Sequence, residues 1–557
     1  MSGKRSGEFV KQAGILAAAG IIVRLIGILY RSPLVAVIGD EGNGYYNTAY
    51  NIYTIILLVS SYSIPSAISK VIAARLAVKE YENAHRIFTC SFYYVIIAGG
   101  LGSLLCFFGA EWLVGENSAM VLRVFAPTIF LSGILGVFRG YFQAHRSMTQ
   151  TSLSQILEQI LNAVVSILAA LLFMNLVANA DTTTKAIYGA MGSAVGTGSG
   201  VLIALLFMWL VYRLNSKGFK KRRAFDKKEN LLGYGAIFKI IFAMVTPVIL
   251  STFIYNLNTT TNLKVYQGIM QNVNGFTEEA ATTAYGLFSG KAMQIINIPI
   301  ALASAMSAAI IPSIAGTFER KEKKETQKRV ARAIQVTMLI SIPCAVGLFV
   351  LAKPVVLLLY PQKASVDMVA ALIRVLSVGV VLYGLSTLSN AVLQGTGKVN
   401  APVWHAGIAL VIQTAVLVGL LLGTNLDLYS MCIATLVYAF IVCLLNAFSV
   451  RRHLDYKQEV LKTFVLPCVA AFWMGLFCFA TYFGMGMLIR LITGDASMEI
   501  TGMWNVLCIL VALPVSAIVY FALVMKLGAV GENELKDLPM GGKLARIGRK
   551  LRLLREK

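Results

Sequence analysis

The sequence predicts an all-α polytopic membrane protein that crosses the bilayer about fourteen times. Three observations carry this prediction: an apolar composition, apolar runs of spanning length, and positive charge confined to alternate connections. Of 557 residues, 57% are hydrophobic and 13% charged, too few charges to solvate the surface of a soluble domain. Stretches such as Ile160 to Val177, Tyr188 to Val211 and Ala406 to Gly423 approach or exceed the roughly 20 apolar residues that cross hydrocarbon as a helix. The alternating pattern of barrel strands is not visible.

Polar breaks divide the chain into spans near 10–38, 46–77, 87–109, 120–142, 152–177, 186–213, 234–260, 283–316, 331–352, 367–393, 402–423, 428–450, 461–490 and 502–526. The start, MSGKRSGEFVKQAG, has neither a short apolar core nor a small-residue cleavage site, so the first span is expected to stay. Lys and Arg mark cytoplasmic loops. One set of connections holds Lys79 and Arg86, Arg139 and Arg146, the run from Lys217 to Lys228, the run from Arg320 to Arg329, Lys398, and Arg451 to Lys462. The opposite set (GAEWLVGENSA, ANADTTT, QNVNGFTEEA, GTNLDL, TGDASMEITG) is acidic or neutral, apart from Lys353 and Lys363. Both termini are therefore expected on the cytoplasmic side. The net charge of +23 is explained by this topology, and no nucleic-acid partner is expected.

Eight cysteines fall in or beside apolar runs without a CxxC pair, and four histidines are scattered without an HExxH, so no metal or cofactor is expected. A Walker loop, a nucleophile elbow and a membrane-proximal carboxylate cluster are missing as well. Transport is favoured over catalysis.

Ile64-Pro65-Ser66-Ala67-Ile68 is echoed by Ile311-Pro312-Ser313-Ile314-Ala315, and FQAHRSMTQTS from Phe142 by LQGTGKVNAPV from Leu393. Either short loops coincide, or two six-span bundles arose by duplication, with cargo bound between them. Duplication divides the chain into an N-lobe at 1–230, a C-lobe at 231–455, two further spans at 456–530 and a basic tail at 531–557. In the tail, Leu544, Ile547, Leu551 and Leu554 recur at helical spacing among basic residues. That pattern suits a helix lying on anionic membrane lipids, or a solvated segment that enforces topology.

Charges inside spans each cost roughly 2.5 to 3.5 kcal/mol on insertion scales unless they face water or a partner. Arg24 lies in AAAGIIVRLIGILYRSPL, and Arg31 follows two helical turns later on the same face. A shared polar cavity, snorkelling, and an ion pair with a carboxylate such as Glu158 are the open readings. Lys291, in YGLFSGKAMQIINIPIA, would face the same cavity if the halves meet there. Arg123, Lys239, Lys264 and Arg374 sit nearer span ends, where snorkelling suffices. Asn256 and Asn258 belong to a polar stretch that either hydrogen-bonds sugar hydroxyls or marks an exit into water. Gly192, Gly196 and Gly200 form a small-xxx-small pattern suited to close helix packing.

The stretch RGYFQAHRSMTQTSLSQILEQ, from Arg139 to Gln159, resembles the RGYFQG, M, PT, SQ and EQ signature of Gram-positive polysaccharide exporters, with Arg139, Gly140, Gln143, Ser154, Gln155 and Glu158 as its matching residues. These belong to the multidrug/oligosaccharidyl-lipid/polysaccharide (MOP) superfamily, with the MurJ and YtgP lipid II flippases, the SpoVB sporulation proteins and the Wzx flippases. IGDEGNGYYNTAYNIY, SIPSAISK and SGKAMQIINIPIALASAMSAAIIPSIAG add to the resemblance. It implies two lobes around a V-shaped central cavity, and export of an undecaprenyl-pyrophosphate-linked glycan, foremost the peptidoglycan precursor lipid II. It also implies that Arg24, Arg31 and Lys291 bind the cargo, while a coupling ion and the membrane potential are both compatible with such buried cations and stay open. The second span, TIILLVSSYSIP, lacks the arginine pair of Gram-negative lipid II flippases, and Ala144 and Gln150 stand at the signature's usual Gly and Pro.

Overall fold

A computed structural model describes residues 2–62, 64–145, 147–224, 226, 231–360, 363–398, 400–494 and 500–530. The basic tail lies outside them. Among the described residues no strand occurs, and eleven helices are long and apolar enough to cross a membrane. Their outer faces are apolar: Phe108 is 77% exposed and Leu491 81%. Such a surface is stable only against hydrocarbon, where helices satisfy every backbone polar group internally.

Two compact units divide the chain, Met1–Gly286 and Leu287–Lys557. The first holds α1 (Ser2–Leu57), α2 (Ile64–Ala77), α3 (Tyr81–Phe108), a short α4 (Ala110–Val114), α5 (Glu116–Ala144), α6 (Met148–Leu176), α7 (Thr182–Ala224), α8 (Tyr234–Asn272) and α9 (Glu278–Gly286). The second holds α10 (Met293–Glu319), α11 (Lys323–Val350), a short α12 (Ala352–Leu359), α13 (Val366–Gly395), α14 (Asn400–Gly423), α15 (Leu428–Leu454), α16 (Leu466–Thr493) and α17 (Gly502–Lys526). A long, short, long run of helices occurs in each unit, at α3 to α5 and at α11 to α13.

Helix α1 runs through the residues expected to form two spans. The two are separated at Gly39 alone, whose φ of 71° and ψ of −177° lie in a region essentially restricted to glycine. The anticipated polar connection after Gly39 is instead helical, which carries Asn43, Asn47 and Asn51 onto a regular helix. The expected eighth span is also interrupted, by a π-helical segment at Leu287–Ala292 between α9 and α10. Another π-segment, Leu58–Tyr62, joins α1 to α2.

Glycines set the packing of the first unit. A Cβ on Gly192 would lie 2.4 Å from the Ala169 carbonyl oxygen, on Gly196 2.1 Å from Ser166 Oγ, and on Gly200 2.5 Å from the Glu158 carbonyl oxygen. The small-residue pattern therefore brings α7 against the backbone of α6. Gly44 and Gly286 do the same for α1 and α9, since a Cβ on Gly286 would meet Gly44 Cα at 2.6 Å.

At the basic connections, Arg223 makes two bonds of 3.0 and 3.1 Å to Glu82, and the Glu82 N–H donates to Asp226 at 2.7 Å. The α15–α16 connection is held by a Lys323–Asp455 ion pair, which keeps the Asp455 carboxyl below its ordinary range, and by Gln327 donating to the Leu454 carbonyl at 2.7 Å. Among the acidic and neutral connections, Arg123 pairs with Glu111 at 2.7 Å, as expected for a cation at a span end.

Replacing Gly196 with Leu should remove the α6–α7 contact and destabilise the fold by about 1–3 kcal/mol. Gly407, whose Cβ would meet nothing within 4 Å, should accept Leu without loss. Thermal unfolding of both variants in detergent checks this; equal behaviour would contradict the packing.

Candidate functional site

In the first unit the candidate site is built around Arg31, which is 9% exposed. Its Nη1 donates to Asn47 Oδ1 at 3.1 Å, and the guanidinium carbon lies 5.5 and 5.9 Å from the ring centroids of Tyr46 and Tyr50. Asn47 in turn donates through Nδ2 to the Asn43 carbonyl at 2.6 Å and to Asn43 Oδ1 at 2.7 Å. The helix after Gly39 makes this possible, because positions 43, 47 and 51 stack one turn apart. Asn43 reaches the Gly286 carbonyl at 3.5 Å, and Asn51 donates to the Tyr285 hydroxyl at 2.8 Å.

The ring faces extend the site. Tyr46 and Tyr50 are stacked at 5.7 Å, and Phe125 lies 5.5, 5.9 and 4.7 Å from Tyr46, Tyr50 and Tyr53. A guanidinium in such surroundings regains from the ring quadrupoles part of what it loses in hydration. Its fork geometry also suits a phosphate or carboxylate. Glu158, one suggested partner for the first-span arginines, is engaged by Arg139 instead. The Arg24 side chain lies outside the described residues.

Polar groups on α8 belong to the same unit. Asn258 Oδ1 and Thr260 Oγ1 are buried without a hydrogen-bond partner among the described residues. Gln267 donates to Thr282 Oγ1 at 3.1 Å and to Thr48 Oγ1 at 3.5 Å, tying α8 to α9 and α1. Buried groups of this kind call for a polar ligand or water. The Asn256 side chain lies outside the described residues.

Lys291 belongs to the second unit, in the π-segment, and is 0% exposed. Its Nζ donates to Ser365 Oγ at 2.9 Å and lies 5.2 Å from the Tyr360 ring centroid, while the Tyr360 hydroxyl donates to the Gly290 carbonyl at 3.4 Å. The lysine is thus enclosed by the segment that follows α12. Single-turn π-segments recur at functional positions.

The family signature forms a clamp. Arg139 donates through Nη2 to Glu158 at 2.6 Å and through Nε to Ser154 Oγ at 2.9 Å, joining α5 to α6. A Cβ on Gly140 would meet the Pro65 carbonyl oxygen at 2.8 Å, so the glycine lets α5 lie against α2. Gln143 and Gln155 are half-buried beside the clamp.

One polar cluster was overlooked in the sequence. His405 Nδ1 lies 2.7 Å from Asn446 Oδ1 and Nε2 3.2 Å from Ser449 Oγ, while Asn446 Nδ2 donates to Asn390 at 2.8 Å and Ser389 at 3.0 Å. It fastens α13, α14 and α15. Five polar residues within apolar runs were its signal, but only their proximity shows them to be one group.

Arg139→Gln and Glu158→Gln should each lower the unfolding midpoint, and together show a coupling of about 1–2 kcal/mol in a double-mutant cycle. Additive effects would overturn the clamp.

The chain is 25% identical to stage V sporulation protein B of Bacillus subtilis, over 96% of this chain and 98% of that one. It is 22% identical to the lipid II flippase MurJ of the same organism, over 85% and 88%. Among solved structures it resembles lipid II flippase MurJ in an inward closed conformation, with TM-score 0.65 and 14% identity over 90% of this chain and 97% of that one. An inward-facing MATE family transporter of the MOP superfamily gives TM-score 0.61 and 17% identity, over 78% and 94%. The MatE family matches residues 273–418. The polysaccharide biosynthesis protein family matches residues 9–318, more than half of the chain, and the protein is therefore a member of that family, on the fold of the MurJ and MATE structures.

Proposed function

We propose that this protein is a flippase that carries an undecaprenyl-pyrophosphate-linked glycan, foremost lipid II, from the inner to the outer leaflet by alternating access. Arg31 carries the reading. A cation buried in a membrane span is retained at a cost unless it acts on a cargo or ion, and this one is oriented by Asn47 and two tyrosine faces. A pyrophosphate supplies the opposite charge and the acceptor oxygens that a guanidinium fork matches.

The lipid II flippase relative supports the cargo class, and the MurJ fold supports the transport mechanism. The stage V sporulation relative favours one alternative, a flippase for a sporulation-specific glycan. In this reading the lobes are the duplicated six-span bundles, both termini are cytoplasmic, and the cell is Gram-positive. Asn258 and Thr260 would meet sugar hydroxyls. Lys291 would join the site after Tyr360 and Ser365 release it, one of the two states between which the carrier alternates.

Depletion in the native cell should reduce lipid II accessible to an externally added probe, with accumulation inside. Wild-type protein should restore it; Arg31→Ala, inserted at normal levels, should restore less than about a tenth. Unchanged lipid II exposure on depletion would remove lipid II as cargo, and full rescue by Arg31→Ala would remove the arginine from the site.

A further inference from the structure

The second unit contains a cavity of about 600 Å³ that transport as described does not use. Val330 and Ile334 of α11, Leu385 and Val392 of α13, and Phe464 ahead of α16 give it apolar walls. Its size falls in the range of small-ligand sites, which combine apolar walls with a few convergent polar groups.

Those groups come from one stretch of chain, residues 451–458. Arg451, in the last turn of α15, and Lys457, in the connection to α16, both line the cavity and are exposed. Gln458 lines it too. Its Oε1 accepts from the Tyr456 hydroxyl at 3.1 Å, while its buried Nε2 has no hydrogen-bond partner among the described residues. Two cations and an orphan donor require a ligand with acceptor oxygens and negative charge. Neighbouring charges leave the balance positive: Arg452 and His453 adjoin Arg451, Asp455 is engaged by Lys323, and Glu459 stands alone on the acidic side.

The opposite requirement comes from the walls and from the entrance. Phe448 lines the cavity and is 66% exposed, and Val460 and Leu461, which follow the lining residue Gln458 in the chain, are 57% and 61% exposed. The lining thus includes a side chain exposed on the apolar surface, where a molecule within the bilayer can meet it. A free ion would leave the walls unused.

We propose that this cavity binds one anionic phospholipid of the surrounding leaflet. Its phosphate rests on Arg451, Lys457 and Gln458 Nε2, and the upper part of one acyl chain lies against Val330, Leu385 and Val392. The connection 455–460, which contributes Tyr456, Lys457 and Gln458 to the lining, is also held by the Lys323–Asp455 pair and by Gln327, so a bound lipid would brace the junction of α15 with α16. The site is separate from Arg31 and is read without any transport assay.

Native mass spectrometry of delipidated full-length protein tests this, with dioleoylphosphatidylglycerol, dioleoylphosphatidylcholine and inorganic phosphate as probes. One phosphatidylglycerol should be retained in preference to phosphatidylcholine of the same chains, and phosphate alone should not bind. Arg451→Gln and Lys457→Gln should each weaken phosphatidylglycerol about fivefold, and the pair about thirtyfold. Leu385→Trp should abolish binding by filling the cavity. Equal retention of the two lipids, wild-type binding by the double variant, or phosphate binding as tightly as phosphatidylglycerol would overturn the proposal. The two glutamine variants alter exposed side chains, so their result stands even if Leu385→Trp fails to fold.

Discussion

A charge within a bilayer must be given fixed dipoles in place of the water it has lost, and the described interior of this protein is organised around that requirement. Arg31 is given an asparagine amide and two tyrosine faces; Lys291 a serine hydroxyl and a tyrosine ring; Arg139 a carboxylate and a serine. The three solutions differ in consequence. Arg139 is neutralised by Glu158 and works as a fastener between helices. Arg31 and Lys291 have neutral groups among their partners, which orient a cation without cancelling its charge. That difference separates the residue of the motif from the residues of the proposed site, although all three are basic residues in apolar surroundings.

The backbone makes these arrangements possible. Placing Asn43 and Asn47 below Arg31 requires the helix to resume immediately after Gly39, and holding α1 against α9 requires Gly44 and Gly286. Small residues do in a membrane what a hydrophobic core does in water, because helices gain nothing from leaving lipid as apolar as themselves. Packing contacts at van der Waals distance, and polar groups that only another helix can satisfy, must supply the association.

Spans and their order were legible because hydropathy is a local property summed over a window. The packing role of Gly192, Gly196 and Gly200 was legible too, since the four-residue spacing states it. The single-residue break at Gly39 was not, because a short polar stretch reads equally as a turn or as a helix start, and only φ decides. The π-segment holding Lys291 depends on a hydrogen-bond shift with no composition of its own. Its enclosure by Tyr360 and Ser365, and the His405–Asn446 cluster, are long-range pairings that a single sequence does not encode in any visible spacing. Arg31 was legible as a charge within a span, with a cavity, snorkelling and an ion pair all open, while its asparagine and tyrosine partners stood out only as the family motif IGDEGNGYYNTAYNIY, not as the shell of the site.

The central claim is that Arg31 recognises a pyrophosphate, and direct binding to purified protein tests it most closely. Wild-type protein should bind undecaprenyl pyrophosphate at least about tenfold more tightly than undecaprenol, and Arg31→Gln, folded to the same unfolding midpoint, should lose that preference. An Arg31→Gln protein that still discriminates between the two lipids as the wild type does would contradict it.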